Sequence, residues 1–209
     1  PYYVMEYIEN GSLEDRLRRD GPLAVADAVE IFREIATGLS HAHNKGVLHC
    51  DLKPANVLLD QDDKPRLADF GQSRLSDEQS PALGTLFYMA PEQADLEAVP
   101  DARWDVYALG AVLHCMIVGE PPHRSDQIVP RLDGTMHLRQ RLATYRDLIT
   151  RAPRASQHRR VPHMDRTLAD IIDRCLAPHP KQRYPHVPAV LESLARRETS
   201  RIRRPLLLL

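Results

Sequence analysis

The sequence predicts an α+β fold that is mainly α-helical, on three observations. From Leu23 to Asn44 the apolar residues Ala28, Val29, Phe32, Ile35, Ala36, Leu39 and Ala42 recur with a 3.6-residue period, the mark of a long amphipathic helix. The stretch "WDVYALGAVLHCMIV", Trp104 to Val118, is apolar nearly all round, which suits a buried central helix and is too short to cross a membrane. "NVLLD" and "PRLADF" are short strand-like pieces joined by the polar "QDDK", which predicts a small β-hairpin.

The other elements follow in chain order. "YYVMEYI", Tyr2 to Ile8, is aromatic and β-branched and reads as a buried strand. "ENGS" breaks it, and Ser12 with Asp15 three positions on predicts a capped helix start. That short polar helix ends before Gly21-Pro22, and the long helix stops at Lys45-Gly46. Residues 72 to 87 lack periodicity and read as a loop. The buried helix ends at Gly119, followed by Pro121-Pro122. Residues 124 to 166 hold ten Arg against four Asp, about +6. They read as a solvated surface insertion with one or two helices, or as a docking face for acidic partners. Two more helices are expected around Leu168 to Leu176 and Pro188 to Arg196. The tail "RRETSRIRRPLLLL" sets five Arg before four Leu, and reads either as a frayed terminus or as the first turn of a membrane helix with its basic flank on the cytoplasmic side.

Composition bounds the class. The chain has 209 residues, 43% hydrophobic and 27% charged, with net charge −1, an ordinary soluble globular balance. A chain of this size buries roughly 70% of its unfolded surface, enough for one good core. Near-neutral charge gives no support for nucleic acid as a partner. Cys50, Cys115 and Cys175 are widely spaced and odd in number, with no CxxC pair, so a reducing cytosolic compartment is expected. The histidines show no metal-ligand spacing. The first residue is Pro1, so the chain is expected to be a piece of a longer one.

The chemistry gathers in ordered motifs. "HCDLKPAN" places His49, Cys50, Asp51, Lys53 and Asn56 in eight residues. Asp69-Phe70-Gly71 follows the hairpin, and Ala90-Pro91-Glu92 follows the loop, ahead of Asp105 in the buried helix. Singly each motif is weak. In this order they resemble the large C-terminal lobe of eukaryotic-like protein kinases, whose signatures are H-R-D-L-x-x-x-N, D-F-G and A-P-E. The resemblance runs from Tyr2 to about Leu194 and is nearest in flavour to the bacterial Hanks-type serine/threonine kinases.

That resemblance implies a fold, a reaction and a set of residues. Residues 1–11 would be the end of the N-lobe sheet and the hinge, 12–195 the C-lobe, and 196–209 a basic juxtamembrane-like tail. Within the lobe, 48–56 is the catalytic loop, 69–92 the activation segment and 104–118 the central helix. The implied substrates are ATP and protein Ser/Thr hydroxyls, with Mg2+. Asp51 would accept the hydroxyl's hydrogen bond and later its proton, and Lys53 would set a positive charge near the γ-phosphate. Asn56 and Asp69 would be the oxygen ligands of magnesium. Lys53 together with Thr85 resembles serine/threonine rather than tyrosine kinases. Glu92 should pair with Arg183, and Asp105 should hold the backbone at His49 and Cys50. His49 and Phe70 would be packing residues. Met5 would be the gatekeeper, the backbone of Glu6 and Ile8 would meet adenine, Ser12 the ribose, and Val57, Leu58 and Leu59 the floor beneath the base.

Two departures set further expectations. No G-x-G-x-x-G loop and no V-A-I-K strand occurs. The N-lobe, with its phosphate-gripping Lys, is expected upstream in a parent protein, and these 209 residues alone are expected to be inactive. Cys50 stands where the family has Arg, which commonly binds a phosphorylated activation-loop residue. A thiol offers no charge and no fork, so activity should depend less on phosphorylation at Ser73, Ser76 or Ser80. A redox role for Cys50 needs an exposed, low-pKa thiolate, and a small neutral replacement is the simpler reading. The alternative class is a pseudokinase or truncated scaffold. The intact Asp51, Lys53, Asn56 and Asp69 argue against it. Membrane attachment beyond Leu209 is expected only if the tail begins a membrane helix. Oligomeric state and substrate preference are not legible in the residues.

Overall fold

The chain wraps its helices around one buried rod. In the computed structural model, which describes residues 8–70, 83–134 and 137–203, that rod is the helix Ala102–Val118. In chain order the helices are α1 (Leu13–Asp20), α2 (Val25–Asn44), α3 (Leu83–Leu86), α4 (Ala102–Val118), α5 (Val129–Asp133), α6 (Leu138–Arg151), α7 (Arg166–Cys175) and α8 (Val187–Arg203). One antiparallel hairpin joins β1 (Val57–Leu59) to β2 (Pro65–Leu67), pairing Val57 with Leu67 and Leu59 with Pro65. The strand expected at Tyr2–Ile8 lies outside the described residues except for Ile8, which has no strand pairing. Also outside are Met5, Glu6, Gly71, the three activation-loop serines and the four terminal leucines.

Local chemistry sets the element ends. Ser12 caps α1 with a full capping box, its hydroxyl accepting from the Asp15 N–H while the Asp15 carboxylate accepts from the Ser12 N–H. Asp101 caps α4 by accepting from the Arg103 N–H, and Gly119 closes it at φ 90°, a left-handed conformation that suits glycine. α2 presents Ala28, Phe32, Ile35, Ala36 and Leu39 to α4 and α8, all of them buried. α4 and α7 approach so closely at Gly110 that a Cβ there would lie 2.5 Å from the Cys175 Cβ.

Three expectations are corrected. The segment read as a loop from 72 to 87 contains a helical turn, α3, and Leu86 and Phe87 are fully buried. The arginine-rich stretch is more than a solvated insertion. α6 turns Leu142, Tyr145 and Ile149 onto Leu86, Phe87, Met89 and Ala94, forming a second core beside the main one. Part of its charge is paired, Arg151 with Asp147 within the stretch and Arg159 with Asp170 and Asp173 of α7. The last helix does not stop near Arg196, where the tail was expected to begin. It runs to Arg203, tied down by Arg197, which is buried and donates to Asp165 at 2.6 Å, and by the ion pair Arg33–Glu198. Among the described residues no helix is long and apolar enough to cross a membrane.

Candidate active site

The loop between α2 and β1 gathers two polar side chains, those of Lys53 and Asn56, onto the carboxylate of Asp51. The Lys53 Nζ donates to Asp51 Oδ2 at 2.8 Å and to Thr85 Oγ1 at 3.4 Å. Asn56 Nδ2 donates to Asp51 Oδ2 at 3.0 Å and to the Asp51 carbonyl at 2.8 Å. Asn56 can do this because Pro54–Asn56 forms a single 3-10 turn that leads directly into β1. Asp51 is held at one oxygen by an ammonium and an amide. Its Oδ1 receives no hydrogen bond among the described residues.

Beneath the loop lies Asp105, fully buried on α4. A buried carboxylate needs partners, and it has three. Its Oδ1 accepts from the Cys50 N–H at 2.8 Å, and its Oδ2 accepts from the His49 N–H at 2.9 Å. His43 Nε2, from the last turn of α2, lies 2.7 Å from the same Oδ2. These bonds hold Cys50 at φ 62°, a left-handed conformation that a side-chain-bearing residue adopts only under restraint. The Cys50 thiol is buried in the main core, and burial, followed by the charges of Asp105 and Asp51, pushes it up to about 12. It is therefore not the exposed, low-pKa thiolate that a redox role requires. Burial also lowers the pKa of His49, whose ring packs 4.6 Å from that of Phe70.

Arg183 anchors the far side. Its guanidinium is fully buried and grips Glu92 with two bonds, 2.6 and 2.8 Å. It also donates to the carbonyls of Ala177, Pro178 and Arg103, and sits over the Tyr107 ring. Gln93, the residue after Glu92, donates from Nε2 to the Cys50 carbonyl at 2.6 Å. Neither His43 nor Gln93 stood out in the sequence. Their partners lie 62 and 43 residues away, with no local pattern to mark them.

On the nucleotide side, the expected set divides by burial. β1 alternates, so Val57 and Leu59 are fully buried while Leu58 faces the other way, half-buried. Of the three, Leu58 is the one not fully buried. Residues 10–12 pair with β1, the Leu59 N–H donating to the Gly11 carbonyl at 2.9 Å. The O–H of Ser12 donates to Asp15 Oδ2 at 2.6 Å, so its oxygen is left to meet a polar group as an acceptor. Ile8 is half-buried at the start of the described chain.

The residues present suit a hard cation. Because Nδ2 of Asn56 is committed to Asp51, its amide oxygen is left free to ligate. The Ala68 N–H bonds the Asn56 carbonyl at 2.9 Å, drawing Asp69 alongside, and Asp69 is exposed at φ 58° with no hydrogen bond or ion pair among the described residues. Two oxygen donors are the complement Mg2+ commonly takes from protein, the rest coming from phosphates and water.

Comparison with known proteins agrees with this arrangement. Residues 1–193 match the protein kinase domain family. The chain is 35% identical over 192 residues to serine/threonine-protein kinase PknB of Mycolicibacterium smegmatis, covering 88% of this chain and 28% of that protein. It is 32% identical over 191 residues to PknB of Mycobacterium tuberculosis, with coverage of 88% and 28%. It is 43% identical over 132 residues to PknE of the same species, covering 61% and 23%. The chain thus spans about a quarter of the length of these relatives. Kinase motifs in order, the loop they build and a family match across nearly the whole chain lead to one assignment: this chain belongs to the protein kinase domain family, in its bacterial Hanks-type serine/threonine branch.

Proposed function

We propose that this chain is the large lobe of a kinase that transfers the γ-phosphoryl group of ATP to Ser/Thr hydroxyls of proteins. The observation that carries this reading is the single carboxylate oxygen of Asp51 held by Lys53 and Asn56, with the other oxygen left open. A substrate hydroxyl donating to that open oxygen would be oriented for attack and could pass its proton there. Lys53 keeps its ammonium between Asp51 and Thr85, where it would meet the negative charge of the transferring group. Asn56 and Asp69 would hold Mg2+, which neutralises phosphate charge when bound. Leu58 would lie beneath the adenine, and the backbones of Glu6 and Ile8 would face its edge. The 209 residues contain neither the Gly-rich loop nor the lysine that grips the α/β-phosphates, so turnover would draw on residues outside them.

The test is transfer from γ-labelled ATP, with Mg2+, to a generic protein substrate by the full-length protein and by these 209 residues alone. The full-length protein should yield phosphoserine or phosphothreonine, and the 209 residues little or none. Phosphotyrosine as the main product, or no transfer by the full-length protein, would reject the reading.

A further inference from the structure

The residue before Asp51 is held in an unfavourable backbone conformation from both of its peptide groups. Its N–H is fixed by the buried Asp105 at 2.8 Å, and its carbonyl accepts from Gln93 at 2.6 Å. A left-handed, side-chain-bearing residue persists only where its surroundings over-determine it. Asp105 restrains the peptide before Cys50. Gln93 restrains the Cys50–Asp51 peptide itself, whose plane sets where the Asp51 side chain leaves the backbone. Among the described residues the Asp51 N–H has only a long bond to His49 Nδ1, 3.4 Å, so the Gln93 bond is the short one on that peptide.

Gln93 is itself well anchored. It lies in the 3-10 turn Pro91–Ala94, between Glu92, which is bound to the buried Arg183, and Ala94, which is packed in the second core. The Met89 carbonyl just upstream accepts from the buried Tyr145 hydroxyl of α6. The Cys50 thiol is buried in the main core. We infer that Gln93 is a positioning residue for phosphoryl transfer. Its side-chain amide couples the Ala-Pro-Glu turn to the catalytic loop through the Cys50 carbonyl, and so aligns Asp51 without a phosphate. This rests on the kinase reading above. A misplacement of about 1 Å at a reacting group can cost up to about a hundredfold in rate, so one hydrogen bond at this peptide bears on turnover.

The experiment compares full-length wild type with Gln93→Met, which keeps the length and volume but cannot donate, and Gln93→Lys, which restores a donor of similar reach. Gln93→Met should lower kcat about tenfold, within the range that a small misplacement of Asp51 can cost, with KM for ATP within about twofold. Gln93→Lys should recover most of that loss. The Cys50 carbonyl carbon resonance should move upfield in Gln93→Met and return toward wild type in Gln93→Lys. Wild-type turnover with an unchanged kcat in Gln93→Met overturns the role given to Gln93 alone. So does a kcat loss in Gln93→Met that tracks a lowered melting temperature and is not recovered by Gln93→Lys. A wild type that transfers no phosphate instead defeats the kinase reading and this role with it.

Discussion

Replacing Arg183 by Met should cost this domain about 4–5 kcal/mol, by the following reckoning. The Arg183 side chain is fully buried, whereas Glu92 keeps 25% of its side chain in water. Removing one member of a buried ion pair commonly costs about 3–5 kcal/mol, and the partly wet carboxylate can rehydrate, which puts the pair near 3. Three backbone carbonyls, those of Arg103, Ala177 and Pro178, lose a donor as well. Each adds up to about 1 kcal/mol, less whatever water recovers. Met fills most of the space over Tyr107, so a cavity adds little. For a domain of this size the loss corresponds to a melting temperature roughly 10–20 °C lower. Urea denaturation of wild type and Arg183→Met, followed by circular dichroism, measures it. The double variant Glu92→Leu/Arg183→Met should lose less than the sum of the single changes, because each single change strands the other partner. A loss under about 2 kcal/mol for Arg183→Met, or strict additivity, would refute the reasoning.

Two further predictions concern the core. Gly110→Ala forces α4 and α7 apart where a Cβ would sit 2.5 Å from the Cys175 Cβ, and should cost about 1–3 kcal/mol by urea denaturation; wild-type stability would contradict the close approach. His114 is buried on α4 with its ring edge-on to His158 at 5.4 Å, and burial holds it down at about 4 against an ordinary 6.5. The unfolded chain therefore takes up the proton first. This contribution to stability is whole above pH 6.5 and is lost as pH falls toward 4, by roughly 3 kcal/mol at most. His123 and His158 are shifted in the same direction, also by burial. Urea midpoints at pH 7.5 and pH 5 should differ less in His114→Gln than in wild type, and an equal difference would remove His114 from the explanation.

What the sequence revealed depended on whether a signal was local. The 3.6-residue period of α2, the apolar run of α4 and the Ser12–Asp15 cap are local patterns, and each formed within two residues of its expected place. The loop residues Asp51, Lys53 and Asn56 stood close enough together to be read as one group, and they do meet. The second core was obscured by charge. Leu142, Tyr145 and Ile149 are spaced to share one helix face, but the surrounding arginines drew attention to the surface. The place of Ser12 after the hinge is a local signal, and so is its bond to Asp15 in the adjacent helix. The length of α8 follows from Arg197 and Glu198 reaching Asp165 and Arg33, distant in sequence. The Gln93 bond to the Cys50 carbonyl is of the same kind, since a backbone acceptor leaves no mark on residue identity.

The most direct measurement is single-turnover phosphoryl transfer by the full-length protein and its Asp51→Asn variant, with Mg2+ and saturating ATP. Asn is nearly isosteric and can still accept from Lys53, so the fold and nucleotide binding should be preserved. With no carboxylate to receive the hydroxyl proton, the rate should fall by about 10²–10⁴-fold, the usual worth of a positioned general base. Transfer by Asp51→Asn at the wild-type rate would show that Asp51 does not act at the reacting hydroxyl, and would contradict the role given to this loop.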